Sequence, residues 1–438
     1  MSNLVKNMVR TLKILSLQLL LGFLLFLTSC STTQNVPGKE RNLADIYNPS
    51  RTALHPDFSA HHVNDSSSVV YIRVFPAELL FNQANERGDF LAFLEIRYYL
   101  FEVGKNNQFL DVSDSATIKK TLNRQEVRNS YFSALPVKAY LGKRYMLRID
   151  VEDELRRSIS RNYLVLDKQS PFSSQNFRVL SARTGYPVFT NNFAKGEEIF
   201  IRFNRMGVDS IYVDYYNMDR TLPRPIFSSS PEIPMQAYPD SSWSLAYNDT
   251  ARYSLDQTGI FMFKMDKDIQ EGISLFNFGP NYPRVKTPDD LLGPLVYLSS
   301  SAEFRDLRME PNRKLAVDNF WLNTTGDMDA ARELIRVYYN RVLFSNLYFS
   351  SYKEGWKTDR GMIYIVFGPP DILDKMPDKE VWKYLTRRSG APVEFIFDRK
   401  DNPFTYNNYE LDRRTGSTSL WAEAVRTWRR GKIYSPEY

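Results

Sequence analysis

Apolar side chains recur along this chain with different periods, and each period predicts a different element. Tyr145, Leu147, Ile149 and Val151 alternate with Met146, Arg148 and Asp150, the two-residue rhythm of a strand with one face buried. Ile96, Tyr98 and Leu100 alternate in the same way with Glu95 and Arg97, and residues 68–75 predict a third strand. Short strands divided by polar turns, without amphipathic helices between them, predict a β-sandwich over residues 66–168. Beyond a polar stretch at 168–175 the pattern repeats. Ile199, Ile201 and Phe203 share one face, Ile211, Val213 and Tyr215 another, and residues 259–265 form a further run. Pro223, Pro225, Pro231, Pro234 and Pro239 exclude a central strand from residues 218–240 and predict a long exposed loop there. A second sandwich over residues 169–283 follows.

From residue 284 the period lengthens. Ala331, Leu334, Ile335, Tyr338 and Val342 recur every three or four residues and predict a helix over 327–349, with Asp327 and Asp329 at its start, where the helix dipole favours them. A shorter helix is expected over 312–322. Strands are expected at 362–367, 380–385 and 393–397. A terminal helix over 419–430 would carry Trp421, Val425 and Trp428 on one stripe. Residues 284–438 therefore form an α+β domain, which also holds Trp321, Trp356 and Trp382. The expected fold is mainly β: two tandem Ig-like β-sandwich domains, then this α+β domain.

The first thirty residues follow another pattern. Lys6, Arg10 and Lys13 precede an apolar run at 14–27 that is broken only by Ser16, Gln18 and Gly22. The run is shorter than the ~20 residues a membrane-spanning helix needs, and it fits the core of an export signal. It ends in Leu27-Thr28-Ser29-Cys30, which resembles the lipobox of bacterial lipoproteins, where the cysteine takes a diacylglycerol and becomes the new N-terminus. Residues 1–29 are thus expected to be a lipoprotein signal peptide, and Cys30 the lipid attachment site. Residues 30–65, rich in Ser, Thr, Asn, Pro and His, are expected to tether the body to the outer membrane, facing the periplasm.

Composition narrows the options. Aromatics make up 14% of the chain, which suits sheet faces. Cys30 is the single cysteine, so the fold has no disulfide and rests on packing. The net charge of +6 includes the three cations of the signal, and the remainder is close to balanced, which gives no reason to invoke nucleic acid.

The sharpest local signal is Gly355-Trp356-Lys357-Thr358-Asp359-Arg360-Gly361, followed by the apolar run Met362-Ile363-Tyr364-Ile365-Val366-Phe367 and by Gly368-Pro369-Pro370-Asp371. The arrangement is expected to be turn, buried strand, turn, with glycines permitting unusual backbone angles and prolines ending the strand. These residues resemble the GWxTD-domain family, whose signature is matched by Gly355, Trp356, Thr358 and Asp359. The resemblance extends through Arg360, Gly361 and the Gly368-Pro369-Pro370-Asp371 turn. Leu54-His55-Pro56, His61-His62 and Glu78-Leu79-Leu80-Phe81 also resemble the longer lipoprotein members found in Bacteroidota-type bacteria. The resemblance implies an envelope protein and brings no catalytic role.

Chemistry is sparse. The only histidines are His55, His61 and His62, and the sequence holds no free thiol beyond Cys30, no metalloprotease helix, no nucleophile elbow and no phosphate-binding glycine loop. The histidines are open to two readings, a small metal cluster or contacts that dock the tether. Trp356 is either core or a stacking platform. Asp359, Asp371 and Asp374 lie near turns with no reason to pair, so a two-carboxylate hydrolase has little support. Arg413-Arg414 and Arg429-Arg430 are expected on solvated faces. No cofactor and no metal site is expected. The expected function is a non-enzymatic, outer-membrane-anchored lipoprotein acting as a scaffold for an envelope protein partner in a secretion, assembly or uptake complex. A glycan- or peptidoglycan-binding module is the alternative, and a carboxylate hydrolase stands behind it.

Overall fold

The computed structural model describes residues 42–435 apart from 52, 85, 87, 105–107, 126–129, 206, 218–220, 229–237, 386–391 and 416–417. Cys30, and with it the signal and lipid-attachment expectations, lies outside the described residues.

The first module is two sheets over one core. β1 (Asp57–Asn64), β2 (Ser67–Val74) and β6 (Tyr131–Lys138) make the smaller sheet, in the order β1-β2-β6. β3 (Gln83–Ala84), β4 (Phe90–Val103), β5 (Phe109–Asn123), β7 (Arg144–Asp153) and β8 (Ser158–Asp167) make the larger, ordered β3-β4-β7-β8 with β5 also paired to β4. Alternation dictates what meets inside. Val70, Ile72 and Val74 of β2 pack with Leu94, Ile96 and Leu100 of β4 and Leu147, Ile149 and Val151 of β7. β7 is buried on its second face too, because Arg148 and Arg161 both clasp Asp150 there, at 2.5 and 2.9 Å. Burial alone would raise the Asp150 carboxyl, and the two guanidiniums hold it below its ordinary range instead.

The second module repeats the plan. β9 (Phe177–Ser181), β10 (Ile199–Phe203) and β13 (Arg252–Tyr253) form one sheet, and β11 (Ser210–Tyr216), β12 (Ser241–Ala246), β14 (Gly259–Lys264) and β15 (Ile273–Asn277) form the other, ordered β12-β11-β14-β15. Ile199, Ile201 and Phe203 meet Val213, Phe261, Phe263 and Leu275 between them. The opposite face of the larger sheet is not solvated: Tyr216, Ile260, Met262 and Phe276 pack around Phe404 of the C-terminal module.

The C-terminal module joins six helices to a four-stranded antiparallel sheet. The helices are α1 (Pro288–Leu292), α2 (Ser301–Met309), α3 (Arg313–Thr325), α4 (Met328–Phe349), α5 (Asp359–Phe367) and α6 (Thr418–Arg429). The strands are β16 (Ile372–Lys375), β17 (Lys379–Tyr384), β18 (Val393–Arg399) and β19 (Tyr409–Leu411), paired in that order. Trp321, Trp382 and Trp428 sit in its core with Tyr338, Val342 and Phe349. The helices expected near 312–322, 327–349 and 419–430 are α3, α4 and α6.

Three expectations are corrected. Met362–Phe367 is helical, forming most of α5 and not a strand. All nine residues of α5 are buried, and a helix apolar on every side has no period to read. The tether was expected over residues 30–65, and its described part, from residue 42 on, is instead folded. Leu43, Ala44, Ile46 and Tyr47 form a short turn of helix that packs into the C-terminal core, and β1 occupies 57–64. The proline-rich loop is not wholly exposed either, since Ile226 is buried in that same core.

Candidate functional site: the GWxTD turn and the cavity beside it

The family motif begins where α4 ends. Gly355 lies against α4 so tightly that a Cβ would stand 1.9 Å from the Ser345 carbonyl oxygen. Gly361, in the first turn of α5, lies equally close to the Gly355 oxygen. Two backbone segments are stacked here with no room for a side chain. Thr358 caps α5: its hydroxyl donates to the Gly355 carbonyl at 2.7 Å and accepts from the Gly361 amide at 3.1 Å.

Trp356 is half-buried. Its ring meets Tyr297 edge-on at 6.3 Å and covers Gly293. Its amide donates to Asn346 Oδ1 at 3.1 Å, and its carbonyl accepts from Tyr297 Oη at 2.6 Å. Asp359 accepts from the Leu411 amide at 2.8 Å and from Arg413 Nη2 at 2.6 Å. Arg413 also donates to the Arg224 and Pro225 carbonyls. It is therefore a largely covered clamp between two modules, which corrects the expectation of a solvated Arg413-Arg414 face; Arg414 itself is exposed and paired with Asp412. Arg429 pairs with Glu303.

The trailing turn is structural as well. Gly368 ends α5 at φ +85°, a backbone open to glycine. Its carbonyl accepts from Tyr384 Oη at 2.9 Å. Pro369 is half-buried and Pro370 buried. Asp371 Oδ2 accepts from the Leu385 amide at 2.7 Å, and Asp374 pairs with Lys383 at 2.9 Å. The three aspartates weighed as catalytic candidates thus have separate partners.

Arg360 points the other way, into a buried polar cluster. Its Nη1 donates to Glu380 Oε1 at 3.2 Å and its Nη2 to Asn407 Oδ1 at 2.7 Å, and its guanidinium lies 4.0 Å from the centre of the Tyr409 ring. Glu380 is wholly buried, and it also accepts from Tyr47 Oη and from Trp382 Nε1, both at 3.0 Å. Burial, then the Glu380 charge, drives the Tyr47 phenol well above its ordinary range. Beside this cluster lies a cavity of about 500 Å³ where all three modules meet, lined among others by Asn162 and Gln175 of the first and second modules and by Arg360, Lys375, Arg399 and Tyr409 of the third. Burial pushes the Tyr409 phenol up to about 12.

The motif was legible in the sequence, but its partners were not. Glu380, Asn407, Tyr409 and Arg413 lie far along the chain. One signal was available: Glu380 shares a strand face with the buried Trp382 and Tyr384, and a carboxylate on an apolar face needs a partner. The histidines are dispersed. His55 bridges Glu78 and the Ile46 carbonyl, at 3.0 and 2.9 Å, while His61 and His62 belong to β1. Among the described residues no group of three or more His, Cys, Asp or Glu side chains could hold a metal ion.

The family model described as the GWxTD domain matches residues 259–430. Those residues of the chain are a GWxTD domain. The matched span takes in the last two strands of the second module together with all but the tail of the C-terminal module, so the domain begins earlier than the change of period suggested. No curated protein matches the chain. Among solved structures, the transglutaminase of red sea bream is similar over 51% of this chain and 31% of that chain, at 11% identity and a TM-score of 0.20. The chain spans under a third of that protein's length.

Proposed function

We propose that this protein is a non-enzymatic lipoprotein of the bacterial envelope, held in the outer membrane by lipid on Cys30 and facing the periplasm. Its two sandwiches carry the C-terminal module as a scaffold for a protein partner in a secretion, assembly or uptake complex. The observation that carries this reading is how the motif uses its polar groups. Thr358, Asp359 and Asp371 are all bonded within the protein. Nothing in the signature is poised as a nucleophile or proton carrier. The C-terminal module also holds apolar side chains out to solvent: Met309, Leu315, Met328 and Leu347 stand exposed on α2, α3 and α4.

The test is affinity capture from gently solubilised envelopes with quantitative mass spectrometry. A stoichiometric partner retained by the wild type, and lost when those four side chains are changed to serine with no loss of melting temperature, supports the reading. A partner-free preparation overturns it. Membrane release of Cys30→Ala, with loss of lipid labelling, tests the anchor separately.

The glycan reading has one observation in its favour. Trp243 is 37% exposed and lines a cavity of about 490 Å³ together with Arg252, Asp256 and Gln257, so an aromatic face stands beside polar side chains. Saturable binding of peptidoglycan fragments, abolished by Trp243→Ala, would favour it over the scaffold.

A further inference from the structure

Three cations, Arg360, Lys375 and Arg399, line the cavity where the three modules meet, against two carboxylates, Asp57 and Glu380. Asp378 and Asp401 lie near Arg399 from outside the lining. Arg73 takes up Asp57 at 2.6 Å. Glu380 is shared between Tyr47, Trp382 and Arg360. Lys375 Nζ is 3.9 Å from it, too far for a hydrogen bond, although the lysine side chain is only 15% exposed. Arg360 is 2% exposed, and its Nε is buried with no hydrogen-bond partner. A buried guanidinium N–H left without an acceptor is costly, and buried cations without full compensation more so.

We propose that this cavity binds a small, multiply charged oxyanion of the carboxylate or phosphate class. Such a ligand supplies acceptors to the donors that lack them: Lys375 Nζ, the Arg399 guanidinium and Arg360 Nε. The volume, about 500 Å³, lies inside the roughly 300–1,000 Å³ typical of small-molecule sites. Burial pulls the Lys375 ammonium and the Arg399 guanidinium below their ordinary values, and a bound anion reverses that penalty. Asn162, also on the cavity wall, gives a neutral amide for orienting it, whereas the Gln175 amide is already bonded to the Val165 carbonyl and the Asp167 N–H. The site is independent of the scaffold reading and stands or falls without it.

The test titrates the purified full chain, at low salt, with inorganic phosphate, with citrate and with uncharged glucose. Calorimetry reads affinity and thermal melting reads stabilisation. Saturable one-to-one binding of phosphate or citrate is expected, with a rise in melting temperature and no response to glucose, and whichever anion binds more tightly assigns the class. Lys375→Met and Arg399→Gln should each weaken binding at least tenfold, while Lys314→Met on the far surface of α3 leaves it unchanged. Absence of saturable binding by both anions overturns the proposal. So does binding that Arg399→Gln leaves intact, since this partly exposed side chain can be replaced without opening the core should Lys375→Met fail to fold.

Discussion

Asp359 and Arg413 meet carboxylate to guanidinium at 2.6 Å, with side chains 8% and 9% exposed, across 54 residues of sequence. The pair ties the first turn of α5 to the segment after β19, and through the Arg224 carbonyl it reaches the second module. Asp359→Asn leaves the guanidinium buried without its counter-charge. The expected loss is about 3–5 kcal/mol by chemical denaturation. A double variant with Arg413→Met should recover part of it.

Backbone crowding makes a second prediction. At Gly355 and Gly361 an added methyl meets a carbonyl oxygen at 1.9 Å, and neither stacked segment can retreat. Gly355→Ala should destabilise at or above the roughly 1–3 kcal/mol of ordinary overpacking. Thr358→Val, which removes the cap and the hydroxyl's bond to the Gly355 carbonyl, should lose less, about 1–2 kcal/mol. Reversing that order in a urea titration would show that the glycines are not a packing requirement.

A third prediction concerns acid. In β1, His62 donates from Nε2 to the Asp167 carbonyl and accepts at Nδ1 from Ser68, both at 2.9 Å, so the neutral ring is satisfied. Burial lowers the His61 and His62 pKa values to about 4. Their unfolded values lie near 6.5, so between those limits the unfolded chain takes up protons that the fold refuses. Stability is full above pH 6.5 and falls as pH drops towards 4, by up to about 3 kcal/mol for each ring. His62→Gln should flatten the difference in melting temperature between pH 7 and pH 4.5, and an unchanged slope would refute the assignment.

Fluorescence gives a fourth. Trp321, Trp382 and Trp428 are fully buried and Trp356 and Trp421 half-buried, whereas Trp243 stands on the edge strand β12. Acrylamide should quench a minor fraction of the emission in the native protein, and Trp243→Phe should remove most of that fraction.

The sequence spoke where the two sides of an element differ in chemistry. β7 is buried on both faces, yet it alternates because Arg148 and Asp150 occupy the second, and α4 keeps its three-to-four spacing because one side meets the core. It was silent where every side is apolar. Ile363, Ile365 and Val366 are β-branched and surrounded, so their run resembles a strand. Leu43, Ile46 and Tyr47 were lost because a single turn is too short to show a period. The motif residues themselves stood out, but Glu380, Asn407 and Arg413 complete them from three separate loops and strands, and no local pattern links such distant positions.

The docking of Leu43–Tyr47 beside Trp382 also sets an order of events in biogenesis. Tyr47 Oη finds Glu380 across 333 residues of chain. As the chain leaves the ribosome with its N-terminus leading, both sandwiches can close while this segment is still waiting. It becomes the clasp fastened last, and until β17 emerges the apolar faces of Leu43, Ile46 and Tyr47 are exposed to any chaperone stationed at the exit.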